Sequence, residues 1–240
     1  MTDAELAAQL AKEAARILMA IRAEGALTGA ALGRRGDAAA NAMLVAALRT
    51  ARPDDGLLSE EERDSESRLA KRRVWIVDPL DGTREYAEGR GDFAVHVALA
   101  IDGMPAVGAV ALPVTGECFV SDRPLRRPPP PACPRLVVSR SRPPAEARRV
   151  ADALAAETIA MGSAGAKAMA VVRGEADIYL HAGGQHQWDN CAPVAVALGN
   201  GLHASRLDGT PIVYNARETL ICDLLICDPA WAPRVLALMG

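Results

Sequence analysis

The run Val74-Trp75-Ile76-Val77-Asp78-Pro79-Leu80-Asp81-Gly82-Thr83 constrains this chain more than any other stretch. Its first four residues are apolar, as a strand covered on both faces must be, and it ends in a turn presenting two carboxylates and a hydroxyl. Pro79 fixes φ between the two acids, so the carboxylates of Asp78 and Asp81 and the Leu80 carbonyl are able to converge on a hard divalent cation. Gly82 and Thr83 then open a helix, whose free N–H groups and dipole favour an anion. A cation seat beside an anion seat suits metal-assisted phosphoryl transfer to water. Asp-Pro-x-Asp-Gly is also an ordinary strand-ending turn, so the neighbours must decide.

Those neighbours are Leu58-Ser59-Glu60-Glu61 upstream and Trp188-Asp189-Asn190-Cys191-Ala192-Pro193 downstream. Together the three ordered segments resemble the inositol monophosphatase superfamily of Mg²⁺-dependent, lithium-sensitive phosphatases, and the resemblance runs from Asp37 through the segment 208–215. Within it, Gly82-Thr83-Arg84-Glu85-Tyr86 and Val137-Val138-Ser139-Arg140-Ser141-Arg142 look most like the bisphosphate nucleotidase branch, which dephosphorylates 3'-phosphoadenosine 5'-phosphate in sulfur metabolism.

The resemblance implies a fold, a layered α-β-α-β-α sandwich of the α+β or α/β class with the active site between its halves. It also implies a site. Glu60, Asp78 and the Leu80 carbonyl would hold one Mg²⁺, and Asp78, Asp81 and Asp189 another, in a centre of two or three ions. Glu60 would orient the attacking water, and Asp37 would bond Thr83 so that its hydroxyl helps deprotonate that water. Taken alone, Asp37 is equally a helix cap, Glu60 a member of a solvated charge run, and Asp189 a cap for the helix that follows it.

Substrate contacts are expected from Gly82, Thr83 and Arg84 at the helix start, from Asp189, and from the Gly162-Ser163 loop. Lys167 on the following helix is a further candidate. Ser139, Arg140 and Ser141, with Arg142 ending the same segment, are expected at a second phosphate, since a guanidinium pairs with phosphate in bidentate fashion. A Ser cap, an exposed basic loop and an Arg84 that only balances Glu85 are the plainer readings. Cys191 adjoins the site, but no base stands at a spacing that would make it a nucleophile.

With 240 residues, half of them hydrophobic, the chain is long enough for one large domain or two small ones. A net charge of -3 and 3% aromatic residues offer no basic, aromatic-studded surface for nucleic acid polymers. The five cysteines show no C-x-x-C pairing and read as reduced thiols of a cytoplasmic protein. Neither a leader nor a membrane span is expected. His96, His181, His186 and His203 lack zinc spacing and read as structural or surface groups, and no P-loop occurs.

Residues 3 to 24 read as an amphipathic helix begun by a Thr2/Glu5 capping box and ended at Gly25. A second helix is expected to start near Asp37, a solvated connection over 61 to 72, and strands over 74–77, 93–99, 106–112 and 117–120. Pro128 to Pro131 cannot enter a helix or a central strand, so residues 1–127 and 132–240 are expected to form two domains joined by that linker. In the second, strands at 136–138, 158–161 and 178–180 alternate with helices at 145–156, 164–172 and after Asp189. The reading that results is a Mg²⁺-dependent phosphomonoesterase for a small molecule, a homodimer by resemblance. An inositol-1-phosphate or fructose-1,6-bisphosphate phosphatase is the enzymic alternative, and a catalytically silent anion-binding regulator the alternative of another class.

Overall fold

A computed structural model describes residues 1–240. Helix α1 (Asp3–Glu24) opens with both capping-box bonds made: Glu5 N–H donates to Thr2 Oγ1 (3.1 Å), and Thr2 N–H to Glu5 Oε2 (2.8 Å). Gly25 ends it at φ 65°, in the left-handed region that glycine tolerates. Helix α2 (Gly29–Ala51) starts well before the expected Asp37, which lies in its interior and caps nothing. The reason is Gly33 and Gly36, which look like breakers but are packing positions. A Cβ at Gly33 would stand 2.8 Å from Thr83 Cγ2, and one at Gly36 2.9 Å from Tyr86 Cε1.

Strands β1 (Gly56–Ser59), β2 (Arg73–Asp81), β3 (Ala94–Ile101), β4 (Met104–Leu112) and β5 (Glu117–Val120) form a first sheet in that order. Only the β1–β2 pair is parallel. The short helix α3 (Thr83–Ala87) leaves the end of β2. A second sheet, in the order β7-β6-β8-β10-β9, is built from β6 (Arg135–Ser139), β7 (Glu157–Met161), β8 (Ile178–His186), β9 (His203–Ser205) and β10 (Leu220–Cys227). β6 runs parallel to β7 and β8, and β10 antiparallel to β8 and β9. The last two strands and β1 carry no marked alternation and were not anticipated.

α1 and α2 cover one face of the first sheet, while α5 (Ala164–Val172) and α6 (Gln187–Gly199) lie between the sheets. α4 (Ala145–Leu154) and α7 (Ala232–Ala237) cover the outer face of the second sheet through Val150, Leu154 and Val235. This is the expected α-β-α-β-α layering. The core, however, does not divide at the prolines. One cluster unites Ile76, Ala98 and Val110 of the first sheet with Met169 and Val194 of the middle helices and Val137, Tyr179 and Leu224 of the second. Residues 128–131 are an exposed strap between two sheets that share this core.

The segment 61–72, expected to be solvated, contains an almost fully buried Arg68. Its guanidinium bonds both oxygens of Asp64 (2.8 Å each), Asn215 Oδ1 (2.8 Å) and the Ala216 carbonyl (3.1 Å), so it ties this loop to the approach to β10. No helix is long and apolar enough to cross a membrane.

Candidate active site

β2 carries its acids across a bulge. Asp78 faces His96 and Asp81 faces Ala94, so β2 has one residue more than β3 over this interval. Pro79, which has no N–H for the ladder, sits in that bulge. Leu80 N–H folds back onto Asp78 Oδ1 (3.0 Å). The hydroxyl of Thr83 donates to the Leu80 carbonyl (3.1 Å), closing the turn at the start of α3. β1 runs alongside, and Glu60 N–H donates to the Val77 carbonyl (3.3 Å), which sets Glu60 next to Asp78.

Asp189 arrives from the second half of the chain, in the first turn of α6, where its carboxylate accepts the His186 N–H as half of a capping box. Asp78, Asp81 and Asp189 each offer an oxygen within 4.8 Å of the others. Burial, followed by the neighbouring charges, pushes these acids up. Asp37 rises to about 8 with Glu61 and Glu60 beside it, Glu60 to about 7 and Asp189 to about 6, and Asp78 lies well above the ordinary carboxylate range. Acids driven together in this way, all with hard oxygen donors, fit a divalent cation. One oxygen of Asp37, Oδ1, is buried with no hydrogen-bond partner.

The expected Asp37–Thr83 pair is not formed, because the Thr83 hydroxyl donates to Leu80 while Asp37 faces the Glu60-Glu61 turn. The two residues nonetheless belong to packed elements, since Gly33, one turn before Asp37, abuts Thr83.

Asp81 is the exception among the acids. Burial alone would raise it, but His96 and hydrogen bonds from Ser163 and Gly165 outweigh burial and bring it to about 2. Its oxygens accept from the Ser163 hydroxyl, from Ala164 N–H (3.1 Å) and from Gly165 N–H (2.6 Å), so it serves as an anion at the N-terminus of α5. His96 Nε2 stands 3.2 Å from Asp81 Oδ2, within ion-pair range but outside hydrogen-bond geometry. Its Nδ1 faces the Trp188 carbonyl at 3.0 Å and therefore carries a proton. Against the opposing effect of burial, the charge of Asp81 raises the imidazole's affinity for a second proton. His96, expected to be structural or on the surface, is the buried imidazole partner of a site acid. Only the β2–β3 register brings it there, and no sequence spacing signals it.

A cavity of about 360 Å³ opens from these acids, within the range of small-molecule sites. Asp81, Gly82, Thr83, Arg84, Ser139, Arg140, Ser141, Gly162, Ser163, Lys167 and Asp189 line it, so the structure gathers every expected substrate contact at one opening. Arg142, the last residue of the expected Ser139–Arg142 segment, lines it too, and the structure adds Glu85, His181, Gly184 and Gln185, which sequence reasoning had not placed in the site. A groove of about 430 Å³ between α1 and the β4–β5 turn has none of these acids.

Arg140 is not free for an anion, since its guanidinium bonds Glu85 (2.8 Å) and Glu88 (3.0 Å). Arg84 and Arg142 line the cavity without an acidic partner. Lys167 is buried and donates to the carbonyls of Gly162 and Ser163, with its ammonium 5.4 Å from the centre of the Tyr179 ring. His181 has a buried Nε2 without a partner, and burial, helped by Lys167 and Arg142, lowers its pKa to about 4. Cys191 is fully buried and its thiol is pushed far up by burial, which leaves it inert.

Residues 2–239 match the inositol monophosphatase family. The whole chain aligns at 46% identity with 94% of a Mycobacterium leprae protein named 3'-phosphoadenosine 5'-phosphate phosphatase. A 3'(2'),5'-bisphosphate nucleotidase CysQ from Escherichia coli K12 is 35% identical over 77% of the chain and 80% of its own length. Among solved structures, CysQ from Bacteroides thetaiotaomicron superposes with a TM-score of 0.82 at 24% identity, covering 94% of this chain and 97% of that one.

Proposed function

This chain belongs to the inositol monophosphatase family, and from that premise we propose that it is a Mg²⁺-dependent phosphomonoesterase that hydrolyses 3'-phosphoadenosine 5'-phosphate to AMP and phosphate. The observation that carries the reading is the convergence of Asp78, Asp81 and Asp189, the last two of which line a cavity with unpaired arginines. The relatives named for this substrate support the choice of a nucleotide.

Glu60, Asp78, the Leu80 carbonyl, Asp81 and Asp189 would hold the cations. Bound there, Mg²⁺ supplies charge neutralisation for the phosphoryl group and a lowered pKa for the attacking water. The chain's own residues do the rest. The Gly82-Thr83 turn presents N–H groups to the scissile phosphate. Glu60 and Thr83 flank the water's approach, with Asp37 behind Glu60 as a proton acceptor only once cations bound nearby have displaced its own proton. Arg142, Lys167 and His181 receive the second, non-reacting phosphate, whose charge suits two cations and a neutral imidazole with an unsatisfied nitrogen. Arg140 instead braces the cavity rim through Glu85 and Glu88. Hydrolysis is by direct water attack, with the Ser163 hydroxyl occupied by Asp81 and the Ala166 N–H, and the Thr83 hydroxyl by the Leu80 carbonyl.

The test is phosphate release with Mg²⁺ from 3'-phosphoadenosine 5'-phosphate, inositol-1-phosphate and fructose-1,6-bisphosphate in parallel, compared as kcat/KM. Preference for the nucleotide is expected. Preference for a sugar phosphate would overturn the substrate assignment and leave the cation site standing. Cation uptake without turnover of any of the three would favour a silent anion-binding protein.

A further inference from the structure

The turn that carries Glu60 is held from outside the cavity. Asn41 is buried on α2, one helical turn beyond Asp37 and on the same face. Its Oδ1 accepts the Ser59 hydroxyl (2.7 Å) and its Nδ2 donates to Glu62 Oε1 (3.3 Å). Ser59 and Glu62 are the residues immediately flanking the Glu60-Glu61 pair, so one amide grips both ends of the turn. Arg49, farther along α2, holds the other oxygen of Glu62 at 3.1 Å.

We propose that Asn41 is a positioning residue for cation binding, fixing the Ser59–Glu62 turn so that the Glu60 carboxylate stays turned toward Asp78. The proposal rests on reading the site as a divalent-cation centre. The turn needs such a hold. Its own backbone bonds are long, Glu60 N–H to Val77 at 3.3 Å and Glu62 N–H to Ser59 at 3.4 Å. Glu60, Glu61 and Glu62 follow one another in it with Asp37 against it, and each of these carboxyls that ionises adds repulsion that acts to splay it open. The hold must also accept a hydroxyl proton on one side and donate to a carboxylate on the other. A neutral amide does both, and a carboxylate of the same shape does only the first. Outer groups that orient metal ligands typically govern affinity by about 10- to 100-fold.

Asn41→Asp separates positioning from simple charge, because an added anion near a cation site would by itself tighten cation binding. Calorimetric titration of the intact protein with Mg²⁺ is expected to show binding weakened about tenfold, with a matching rise in the Mg²⁺ concentration giving half-maximal turnover. KM for the nucleotide at saturating Mg²⁺ should stay at the parent value. Adding Glu62→Gln to Asn41→Asp restores a donor opposite the new carboxylate and should recover Mg²⁺ affinity. Ser59→Ala removes the other bond without changing charge, and should weaken Mg²⁺ binding even if Asn41→Asp fails to fold. Unchanged or tighter Mg²⁺ binding in Asn41→Asp and Ser59→Ala would overturn the proposal. A parent chain that takes up no Mg²⁺ would overturn the cation reading of the site, and this proposal with it.

Discussion

Asp81 serves two masters, the cluster of acids with Asp78 and Asp189 and the N-terminus of α5, and substitutions there act on both. Asp81→Asn removes the charge that α5 and His96 are arranged around. Its kcat/KM should fall beyond the roughly 100-fold that loss of an outer group can produce, and near-parent turnover would refute the cation assignment. Cys191→Ala, by contrast, should retain most activity and lose only about 1 kcal/mol of stability, as urea melts would show. Gly165→Ala tests the close approach behind Asp81. A Cβ there would stand 2.1 Å from His96 Nε2 and 2.9 Å from Ala94 Cβ, so about 1–3 kcal/mol of stability should be lost on overpacking, read from denaturant midpoints. Asp78, Asp81 and Thr83 were legible because one turn holds them, and Asp189 because its neighbours spell a motif. His96, His181 and Asn41 were not, since each is brought in by strand register or helix packing.

The loop after β6 shows what an element adds to its residues. Its sequence offers Arg140 and Arg142 alike, but the parallel pairing with β7 and the approach of α3 give Arg140 to Glu85 and Glu88. Arg142→Ala should therefore raise KM for a bisphosphate by about tenfold, in line with the loss of a charge-assisted hydrogen bond, and leave hydrolysis of a simple monophosphate unchanged. Equal losses on both substrates would remove Arg142 from the second-phosphate role. α1 and α5 were read from the sequence to within a residue because capping box, glycine stop and Ser163 cap act locally. α2 was misplaced because its glycines answer to Thr83 and Tyr86, contacts made across the fold. β10 was missed because its first half alternates between exposed and buried while its second half is buried throughout, and its partner β8 bulges at Gly183-Gly184.

At the level of the whole molecule the layers were legible and the division into domains was not, since four prolines mark a change of sheet while the core passes beneath them. Calorimetric unfolding should accordingly give one transition, and two resolved transitions would show that the sheets melt separately. Stability should also follow the crowded acids. Asp37, Glu60 and Asp189 hold protons in the folded state up to about 8, 7 and 6, well above their ordinary values. The folded chain without cations thus binds more protons than the unfolded chain across this range, and its stability should fall as pH rises from about 4 to about 8. If, as proposed, Mg²⁺ takes the place of those protons, its effect on Tm should grow over the same interval. Thermal melts with a chelator and with Mg²⁺ at about pH 5 and pH 8 check both, and a chelated protein more stable at the higher pH would contradict them. Asp81 belongs to the first sheet, and its partners Ser163, Ala164 and Gly165 follow some eighty residues later. A ribosome making this chain releases the acid-bearing turn long before the helix that completes it, so Asp81 has no α5 N-terminus to bond until the last third of the polypeptide is being made.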